Sequence, residues 1–428
     1  MQASGLPASY RFGNPERSAV KRIVFRAFLL RFPLGRFLRA FLLRFPLGRF
    51  HKAQIYNYYM AKKVLLGMSG GIDSTVSAML LLEQGYEVVG VTYRVYDSIK
   101  ESCMLREKGC CSVESIMEAR DNARRLGFEH HIVDFRDVFQ RQVITNFCEE
   151  YMHGRTPNPC VLCNSHIKWG EMQRTADALG CEWIATGHYA QIASHRGHAY
   201  LHTAVDEHKD QTYFLWMITE ENIRRTIFPL GGLTKPQVRE IARKHGYEKL
   251  AQKAESQEIC FVTDNDYRRF LREQVTDYAE RVKPGNFVDA SGKVLGQHEG
   301  FCNYTIGQRK GLGIALGKPV YVTHIDAQKN EVCLGTNDDL MAASLICRQL
   351  RVRDIDWLRE DSKVEARIRY KSKPVSARLE ILEGGDWNAA NGVGRLVFDE
   401  PVWGVTPGQS VVMYKDNLLV AGGIIYNE

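Results

Sequence analysis

The chain has 428 residues, 44% of them hydrophobic, which is enough for about two or three domains with buried cores. Its formal net charge of +7 comes from one region: residues 1–52 contain 11 of the 57 Lys and Arg residues and a single acid, Glu16. The remainder has 46 basic and 49 acidic residues. The overall charge therefore does not identify the rest of the chain as a nucleic-acid-binding protein.

The basic N-terminal region contains an internal repeat. RAFLLRFPLGRF occupies 26–37 and returns at 39–50. An Arg-rich, acid-poor leader is typical of a mitochondrial transit peptide or a membrane-surface helix, but Pro and Gly interrupt both apolar runs. We interpret residues 1–60 as a low-complexity basic leader, disordered or belonging to an over-long reading frame with Met60 as the true start. The predicted location is cytoplasmic, or mitochondrial if the leader is a transit peptide.

Between 61 and 217, apolar strands alternate with segments of helical spacing. The predicted strands are KVLLG (63–67), EVVGVTY (87–93), HHIVDF (130–135) and CEWIATGHY (181–189). Helices are predicted at 112–128 and 166–180, among others, with TPNPCVLCN (156–164) as a loop. This alternation indicates an α/β domain with a doubly wound parallel sheet.

The patterning changes twice in the remainder of the chain. Residues 218–284 contain mostly helical segments and predict a small central domain. From 285 to 428, short β-rich runs such as VEARIRY and LLVAGGIIY are separated by turn pairs, which is typical of a small β-barrel. No apolar run approaches the ~20 residues of a membrane span.

GMSGGIDS (67–74) lies between the first predicted strand and the first helix. At such a position backbone N–H groups and the positive end of the helix converge on one anion. Gly70 and Gly71 let the backbone approach a phosphate closely, and Ser69 adds a hydroxyl donor. A Walker A loop would carry a lysine here, whereas this motif carries Asp73. The loop resembles that of the N-type ATP pyrophosphatases, which cleave ATP between the α and β phosphates, and Asp73 is a candidate for holding Mg²⁺ or the pyrophosphate.

The eleven cysteines are an odd number in a long chain without a secretory signal, which is typical of reduced thiols. Cys160 and Cys163 form a C-x-x-C pair that is compatible with a metal clip, a redox pair, or a nucleophile beside a bystander. Three further cysteines with no suitably spaced fourth ligand are predicted to be loop thiols: Cys103, Cys110 and Cys111.

Six further segments between residues 61 and 428 carry a resemblance to a known family. They are GRTPNPCVLCNSHIKWGEM, ATGHYA, KDQTYFL, ESQEICFV, TIGQRKGLGI and TPGQSVV, in this order along the chain. Together with the phosphate loop, they resemble the tRNA-specific 2-thiouridylase family. The resemblance implies that ATP adenylates the C2 oxygen of the wobble uridine in tRNA. A cysteine persulfide then delivers sulfur, giving 2-thiouridine, AMP and pyrophosphate.

The resemblance also implies roles for particular residues. Cys163 matches the first catalytic cysteine and Cys260 the persulfide-bearing one, so that turnover would leave a Cys163–Cys260 disulfide for a reductant to open. The residues at ATP-binding positions are Gly67, Met68, Ser69, Gly70, Gly71, Ile72, Asp73, Ser74, Tyr93 and Gly187. Those at tRNA-binding positions are Asn158, Pro159, Cys160, His188, Lys209, Asp210, Gln211, Arg369, Tyr370 and Gln409.

Cys160 departs from the family pattern. Many members carry an Asp there that is thought to act as an acid or base, so this proton-transfer role is in doubt. Cys160 is then either a replacement beside a persulfide enzyme or, with Cys163 and Cys260, a ligand of a 4Fe–4S cluster with an open iron. Zinc is a third alternative, although three thiolates leave its coordination incomplete.

The expected cofactors are ATP and Mg²⁺, with the cluster as an alternative. The expected partners are tRNA and a sulfur-donor protein, either a cysteine desulfurase or a relay protein, with no membrane and a monomeric state. One rival function is another adenylating enzyme on the same loop, such as a different tRNA thiolase. Another is a non-catalytic RNA- or metal-binding protein with a decayed site, which the intact phosphate loop argues against.

Overall fold

The computed structural model describes residues 62–96, 113–253, 259–384, 386–387 and 390–426. The predicted leader (1–60) and the thiols Cys103, Cys110 and Cys111 lie outside these residues.

A five-stranded, fully parallel sheet opens the described chain, in the order β3-β2-β1-β4-β7. Its strands are β1 (Lys63–Gly67), β2 (Glu87–Arg94), β3 (Glu129–Asp134), β4 (Trp183–Thr186) and β7 (Thr226–Ile227). The chain leaves β1 toward β2 and β3 and then returns to its other side at β4. Two loops leaving the carboxyl ends of adjacent strands therefore meet between β1 and β4, where ligands bind in open α/β sheets.

Helices cover both faces of this sheet, and the successive side chains of β1, which point to opposite faces, are apolar on both sides. Val64 and Leu66 pack with Leu81 and Ala119 on one face, whereas Leu65 packs with Met172 and its neighbours on the other. The helices up to this point are α1 (Ile72–Glu83), α2 (Val113–Leu126), α3 (Arg136–Phe139), α4 (Thr145–Met152), α5 (Pro159–Leu162) and α6 (Met172–Ala178). The predicted doubly wound sheet is confirmed.

One predicted loop is wrong. TPNPCVLCN was expected to be irregular, but the chain becomes helical at Pro159 and stays so through α6. Proline at the first helical position has its φ already fixed for a helix and needs no hydrogen bond there, so it starts this one. Cys163–Glu171 is a wider, π-helical segment, as is Gln140–Ile144 between α3 and α4. Such segments are frequent at functional sites.

Short helices flank and follow the last strand of the sheet. They are α7 (Glu220–Arg224), α8 (Lys235–Lys244), α9 (Glu248–Gln252), α10 (Tyr267–Gln274) and α11 (Tyr278–Arg281), with a 3₁₀ turn at Thr212–Phe214 before them. Val238 and Ala242 of α8 pack against Ile72 and Val76 of α1. This contact brings the start of α8 close to the start of α1.

The predicted β-rich region contains two separate sheets. The first has the order β10-β11-β8-β9, and its strands are β8 (Gly285–Val288), β9 (Val294–His298), β10 (Tyr321–Asp326) and β11 (Glu331–Gly335). Phe301–Asn303 and Asp338–Leu340 are 3₁₀ turns.

The second sheet closes into a six-stranded barrel in the order β12-β15-β14-β13-β16-β17, with β17 pairing back to β12. Its strands are β12 (Met341–Val352), β13 (Lys363–Arg367), β14 (Val375–Glu383), β15 (Gly392–Trp403), β16 (Ser410–Lys415) and β17 (Leu418–Tyr426), with helix α12 (Ile355–Glu360) after β12. A hairpin of β5 (Gln191–His195) and β6 (His198–His202) joins this sheet at β17. The barrel was predicted; the hairpin's place in its sheet was not.

None of the helices in the described ranges combines the length and the apolar character needed to cross a bilayer.

Candidate functional site

The phosphate loop connects β1 to α1 at the sheet edge between β1 and β4. Gly70 has a φ of +74°, and a Cβ there would lie 2.3 Å from the carbonyl oxygen of Ser115 in α2, so only glycine fits. The loop closes on itself, because Ser69 N donates to Ser74 Oγ (3.3 Å) and Ser74 Oγ donates to the Gly71 carbonyl (3.1 Å). Gly71 is the N-cap and has no side chain to cap α1, which suits the helix start to an external anion.

The loop after β4 packs tightly on the first turn of α1. Gly67 pairs with Thr186 in the register of β1 and β4, which places Gly187 beside the phosphate loop. A Cβ on Gly187 would lie 2.9 Å from the carbonyl carbon of Asp73 and 3.0 Å from Ser74 N. The structure thus places Gly187 against the phosphate loop, which contains Met68, Ile72 and the other nucleotide-binding residues predicted in this segment.

Asp73 is held by two residues that sequence analysis missed. Lys235 Nζ donates to both carboxylate oxygens, at 2.8 and 2.9 Å, and the Tyr189 hydroxyl donates to Oδ1 at 2.9 Å. Tyr189 directly follows the ATGH segment, and Lys235 opens α8 after Thr234. The only sequence signal for Lys235 was its place at a capped helix start.

Tyr93 lies at the end of β2, two residues beyond the residue that pairs with Gly67. Its ring packs edge-on against Phe135 at 4.9 Å between centroids. Burial raises the pKa of the Tyr93 phenol, whose hydroxyl lies on the side of Thr175 in α6. Its ring also packs against an aromatic core cluster that includes Phe139, Phe147, Phe261 and Phe270.

The two predicted catalytic thiols lie at the edge of that same aromatic core cluster. Cys163 begins the π-helical segment and Cys260 directly precedes Phe261; both are half-buried and neither is in a disulfide. Cys160 is exposed on α5. The fold therefore brings two thiols 97 residues apart in the sequence to one cluster.

The three cysteines do not form a metal-binding group. Among the residues that the structure describes, no three His, Cys, Asp or Glu side chains are arranged to hold a metal ion. Both carboxylate oxygens of Asp73 accept hydrogen bonds from Lys235, and each oxygen has a further lone pair with which it could bind Mg²⁺.

His188 is a neutral, oriented imidazole. Lys168 Nζ lies 3.5 Å from Nε2, and Thr186 Oγ1 lies 2.8 Å from Nδ1. Because an ammonium group only donates, Nε2 accepts and the ring proton resides on Nδ1. Burial and the charge of Lys168 hold the pKa of His188 well below its usual range. Lys168 lies on the π-helical segment that starts at Cys163 and was also missed by sequence analysis.

The predicted tRNA-contact segments converge between the sheet and the barrel. Asp210 is 1% exposed, accepts from Thr212 Oγ1 at 2.8 Å and pairs with Arg367 at 3.3 Å, and burial raises its pKa. Gln211 Oε1 accepts from Tyr189 N at 2.9 Å, while neighbouring Lys209 is half-buried.

Residues of the barrel face the same region. The Tyr370 ring packs on Phe214 at 4.4 Å between centroids. Arg369 donates to the Gly404 carbonyl and to Thr406 Oγ1, at 2.6 and 2.8 Å, so its charge is anchored to the loop before β16.

Gln409 connects the barrel to the segment before the cysteines. Its Nε2 donates to the carbonyls of Thr156 and Pro157, both at 3.0 Å, and Thr156 N donates to the Pro407 carbonyl at 2.8 Å. Asn158 and Pro159 follow at once and start the helix that carries Cys160 and Cys163. The barrel loop therefore fixes the start of the cysteine-bearing helix.

Comparisons with known proteins agree with this architecture. Three family models match in succession: the tRNA methyl transferase HUP domain over residues 62–264, the tRNA methyl transferase PRC-barrel domain over 270–336, and the aminomethyltransferase beta-barrel domain over 347–425.

Curated relatives match along most of their length. The proteins named tRNA-specific 2-thiouridylase MnmA from Amoebophilus asiaticus, Carboxydothermus hydrogenoformans and Acetivibrio thermocellus are 47%, 48% and 46% identical over 366 residues. These alignments cover 85% of this chain and 95%, 97% and 99% of the relatives. Among solved structures, NMN synthetase from Francisella tularensis aligns at 15% identity with a TM-score of 0.29, covering 52% of this chain and 79% of its own.

Proposed function

The chain belongs to the tRNA-specific 2-thiouridylase family, and we propose that it uses ATP to replace the C2 oxygen of the wobble uridine of tRNA with sulfur. The observation that carries the proposal is that Tyr93, Cys163 and Cys260 each pack against one aromatic core cluster. It supports a single site in which a nucleotide on the phosphate loop and two thiols act on the same base.

The first step in this proposal is adenylation. The uridine C2 oxygen attacks the α-phosphorus of ATP, the bond to the β-phosphate oxygen breaks, and pyrophosphate leaves. No side chain caps the start of α1, so its backbone N–H groups can hold the phosphates together with the hydroxyls of Ser69 and Ser74. Mg²⁺ would neutralise charge on the nucleotide when bound, and Asp73, which Lys235 and Tyr189 orient at the start of α1, is the residue that would hold it.

The second step is sulfur transfer. The terminal sulfur of a Cys260 persulfide attacks C2 and AMP leaves with the former C2 oxygen. The Cys163 thiolate then attacks the Cys260 sulfur, which releases 2-thiouridine and forms a Cys163–Cys260 disulfide. The transferred sulfur gains the two electrons that the cysteines lose, so an external dithiol must reduce the disulfide before the next turnover. A sulfur-donor protein must also renew the persulfide.

The cluster alternative does not fit this structure. It requires three thiolates around one iron–sulfur cluster, and the described residues present no such ligand group. Exposed Cys160 acts in our proposal as a polar replacement near the tRNA contacts. We derive no step through a cluster.

The proposed function is tested with unmodified tRNA, ATP and a persulfide donor. We expect tRNA-stimulated pyrophosphate release, together with 2-thiouridine detected by mass spectrometry of the digested tRNA. Cys260→Ser should abolish 2-thiouridine but retain pyrophosphate release, because adenylation needs no thiol. Cys333→Ser, which removes another half-buried thiol, is the matched control and should behave as wild type. The absence of tRNA-stimulated ATP turnover in the wild-type protein would contradict the proposal.

Anaerobic purification separates the persulfide from the cluster chemistry. We expect protein without stoichiometric iron or sulfide to thiolate tRNA at the full rate, and Cys160→Asp to remain active. A visible absorbance band that accompanies activity and disappears in Cys160→Ser would instead establish the cluster.

A further inference from the structure

The winding of the π-helical segment Cys163–Glu171 decides which of its side chains share a face. Each hydrogen bond in such a segment spans five residues, so residues five apart lie roughly one above the other. The burial follows this spacing, because Asn164 and Trp169 are both buried. Lys168 therefore lies on the face of Cys163, whereas an α-helix would turn it away by about 140°.

The ammonium group of Lys168 reaches from that face to the loop after β4. Its Nζ lies 3.5 Å from Nε2 of His188. His188 directly follows Gly187, which lies so close to the phosphate loop that a Cβ there would be 2.9 Å from the carbonyl carbon of Asp73. The ammonium group thus lies between the cysteine-bearing segment and the residues expected to hold the nucleotide.

This position suits a group that acts on the α-phosphate. We propose that Lys168 is a catalytic residue that binds the α-phosphate and stabilises the charge that AMP gains as it leaves. The inference rests on the proposed function and deepens it, since it assigns a residue to the sulfur-transfer step.

The chemistry of that step gives the reason. When the persulfide sulfur attacks C2, the electron pair of the C2–O bond passes to the departing oxygen. AMP therefore leaves with one more negative charge than its phosphate carried in the adenylated tRNA. An ammonium group beside this phosphate binds the transition state more strongly than the adenylated tRNA, and this difference accelerates the step.

The sheet holds Lys168 in place. Trp169 Nε1 donates to Thr226 Oγ1 at 2.8 Å, which ties the adjacent residue to β7. His188 is oriented in turn by Thr186 of β4, whose Oγ1 lies 2.8 Å from Nδ1. Lys168 is therefore positioned by the sheet, whereas the barrel loop positions the start of the cysteine-bearing helix.

A neutral imidazole is a suitable neighbour for a lysine with this role. Nε2 of His188 accepts a hydrogen bond from the ammonium group and so directs it. A carboxylate in that place would cancel the charge, as Asp73 does for Lys235. The contact with the imidazole leaves the charge of Lys168 uncancelled, so that a phosphate can still be attracted to it.

Binding of AMP, adenosine and inorganic pyrophosphate tests the contact with no tRNA present. In Lys168→Met we expect about tenfold or greater loss of AMP affinity, because a hydrogen bond between charged groups is lost. Adenosine lacks the phosphate and pyrophosphate lacks the α-position, so both affinities should change by less than about twofold. Lys168→Arg should retain most of the AMP affinity. Arg174→Met, which removes a cation whose side chain is 78% exposed on α6, is the matched control and should equal wild type.

Turnover with unmodified tRNA, a persulfide donor and ATP labelled at the α-phosphate separates the two steps. In Lys168→Met we expect kcat for 2-thiouridine formation to fall by about 100-fold or more, with the KM for tRNA little changed. Pyrophosphate release in the first turnover should fall by less than about tenfold, because adenylation adds no charge to the α-phosphate. Labelled, adenylated tRNA should therefore accumulate.

A merely structural role would give a different pattern. Equal losses of AMP and adenosine affinity in Lys168→Met, an unchanged AMP affinity, or thiolation slowed no more than pyrophosphate release would each overturn the inference. If Lys168→Met does not fold, a crystal structure of the wild type with AMP decides. Nζ within hydrogen-bond distance of a phosphate oxygen supports the contact, and a greater distance refutes it. Wild type that binds AMP through Lys168 but shows no tRNA-stimulated ATP turnover would refute the proposed function and leave the phosphate contact standing.

Discussion

At the scale of single residues, burial lowers the pKa of two histidines that lie near the candidate site. We expect His188 and His130 to be neutral at neutral pH, because burial lowers the pKa of each. For His130 the pKa falls to about 4, with the charges of His131 and Arg120 adding to the effect of burial. Its Nε2 lies 2.9 Å from Thr92 Oγ1, on the strand that carries Tyr93.

This lowered pKa predicts that acid destabilises the protein through His130. Between pH 6.5 and about 4, the unfolded chain binds a proton at this residue that the folded protein does not. The free energy of unfolding therefore falls as the pH falls through this window. In His130→Gln we expect a smaller slope of the free energy of unfolding against pH than in wild type. The difference should correspond to at most about one proton per molecule.

Urea denaturation at pH 7, 6 and 5 measures the slope. His208→Gln is the matched control, because His208 is exposed on a turn and its replacement should leave the slope unchanged. An equal slope in wild type and His130→Gln would show that His130 binds protons equally in the folded and unfolded states, which contradicts the lowered pKa.

At the scale of elements, the loop before β16 positions the helix that carries the cysteines. Gly408 has a φ of +89°, and a Cβ there would lie 2.8 Å from the Thr156 carbonyl oxygen. The absence of a side chain at Gly408 therefore allows Gln409 to reach the carbonyls of Thr156 and Pro157.

We expect Gly408→Ala to lower the free energy of unfolding by about 1–2 kcal/mol, because an L-residue is strained at this φ. The added methyl group also pushes against Thr156, so the rate of tRNA thiolation should fall while AMP affinity stays unchanged. Gly232→Ala is the control, since a Cβ at Gly232 meets nothing within 4 Å. Loss of AMP affinity in Gly408→Ala would contradict a role limited to the cysteine-bearing helix.

At the scale of the whole described region from 62 to 426, buried polar contacts join the α/β sheet to the barrel. Asp210 pairs with Arg367 of β13, the Tyr213 hydroxyl donates to the Ser410 carbonyl at 2.8 Å, and Trp216 Nε1 donates to Ser410 Oγ at 3.0 Å. The barrel is thus held by directional contacts, which fix its orientation over the candidate site.

A double-mutant cycle measures the coupling across this junction. Asp210→Asn leaves Arg367 without its buried counter-charge and should cost about 2–4 kcal/mol in the free energy of unfolding. Arg367→Met should lower the free energy of unfolding by about 1–2 kcal/mol less in the Asp210→Asn background than it does in the wild type.

An exposed pair provides the reference for that cycle. Arg359 and Asp356 are both mostly exposed, so Arg359→Met should change stability by less than about 0.5 kcal/mol. Strict additivity of Asp210→Asn and Arg367→Met would show that their 3.3 Å contact carries no coupling.

The local elements were largely predictable because their signals are local. The run KVLLG predicted β1 to the residue, and the Gly-rich segment after it predicted a phosphate loop. The prediction failed at TPNPCVLCN, where a helix-starting proline was taken as part of a loop. That the β5–β6 hairpin joins the barrel sheet depends on pairing between His202 and Leu418, which no window of sequence contains.

The sequence by itself determined the fold class, the phosphate loop and, through its resemblance to a family, the two cysteines expected to carry the chemistry. These follow from residue spacing and motifs, which survive in any conformation. Only the tertiary structure decided that Asp73 is paired with Lys235 and that Asp210 is buried against the barrel. Pairing, burial and ligand geometry arise from residues far apart in the chain, and their energies exist only once the chain has brought those residues together.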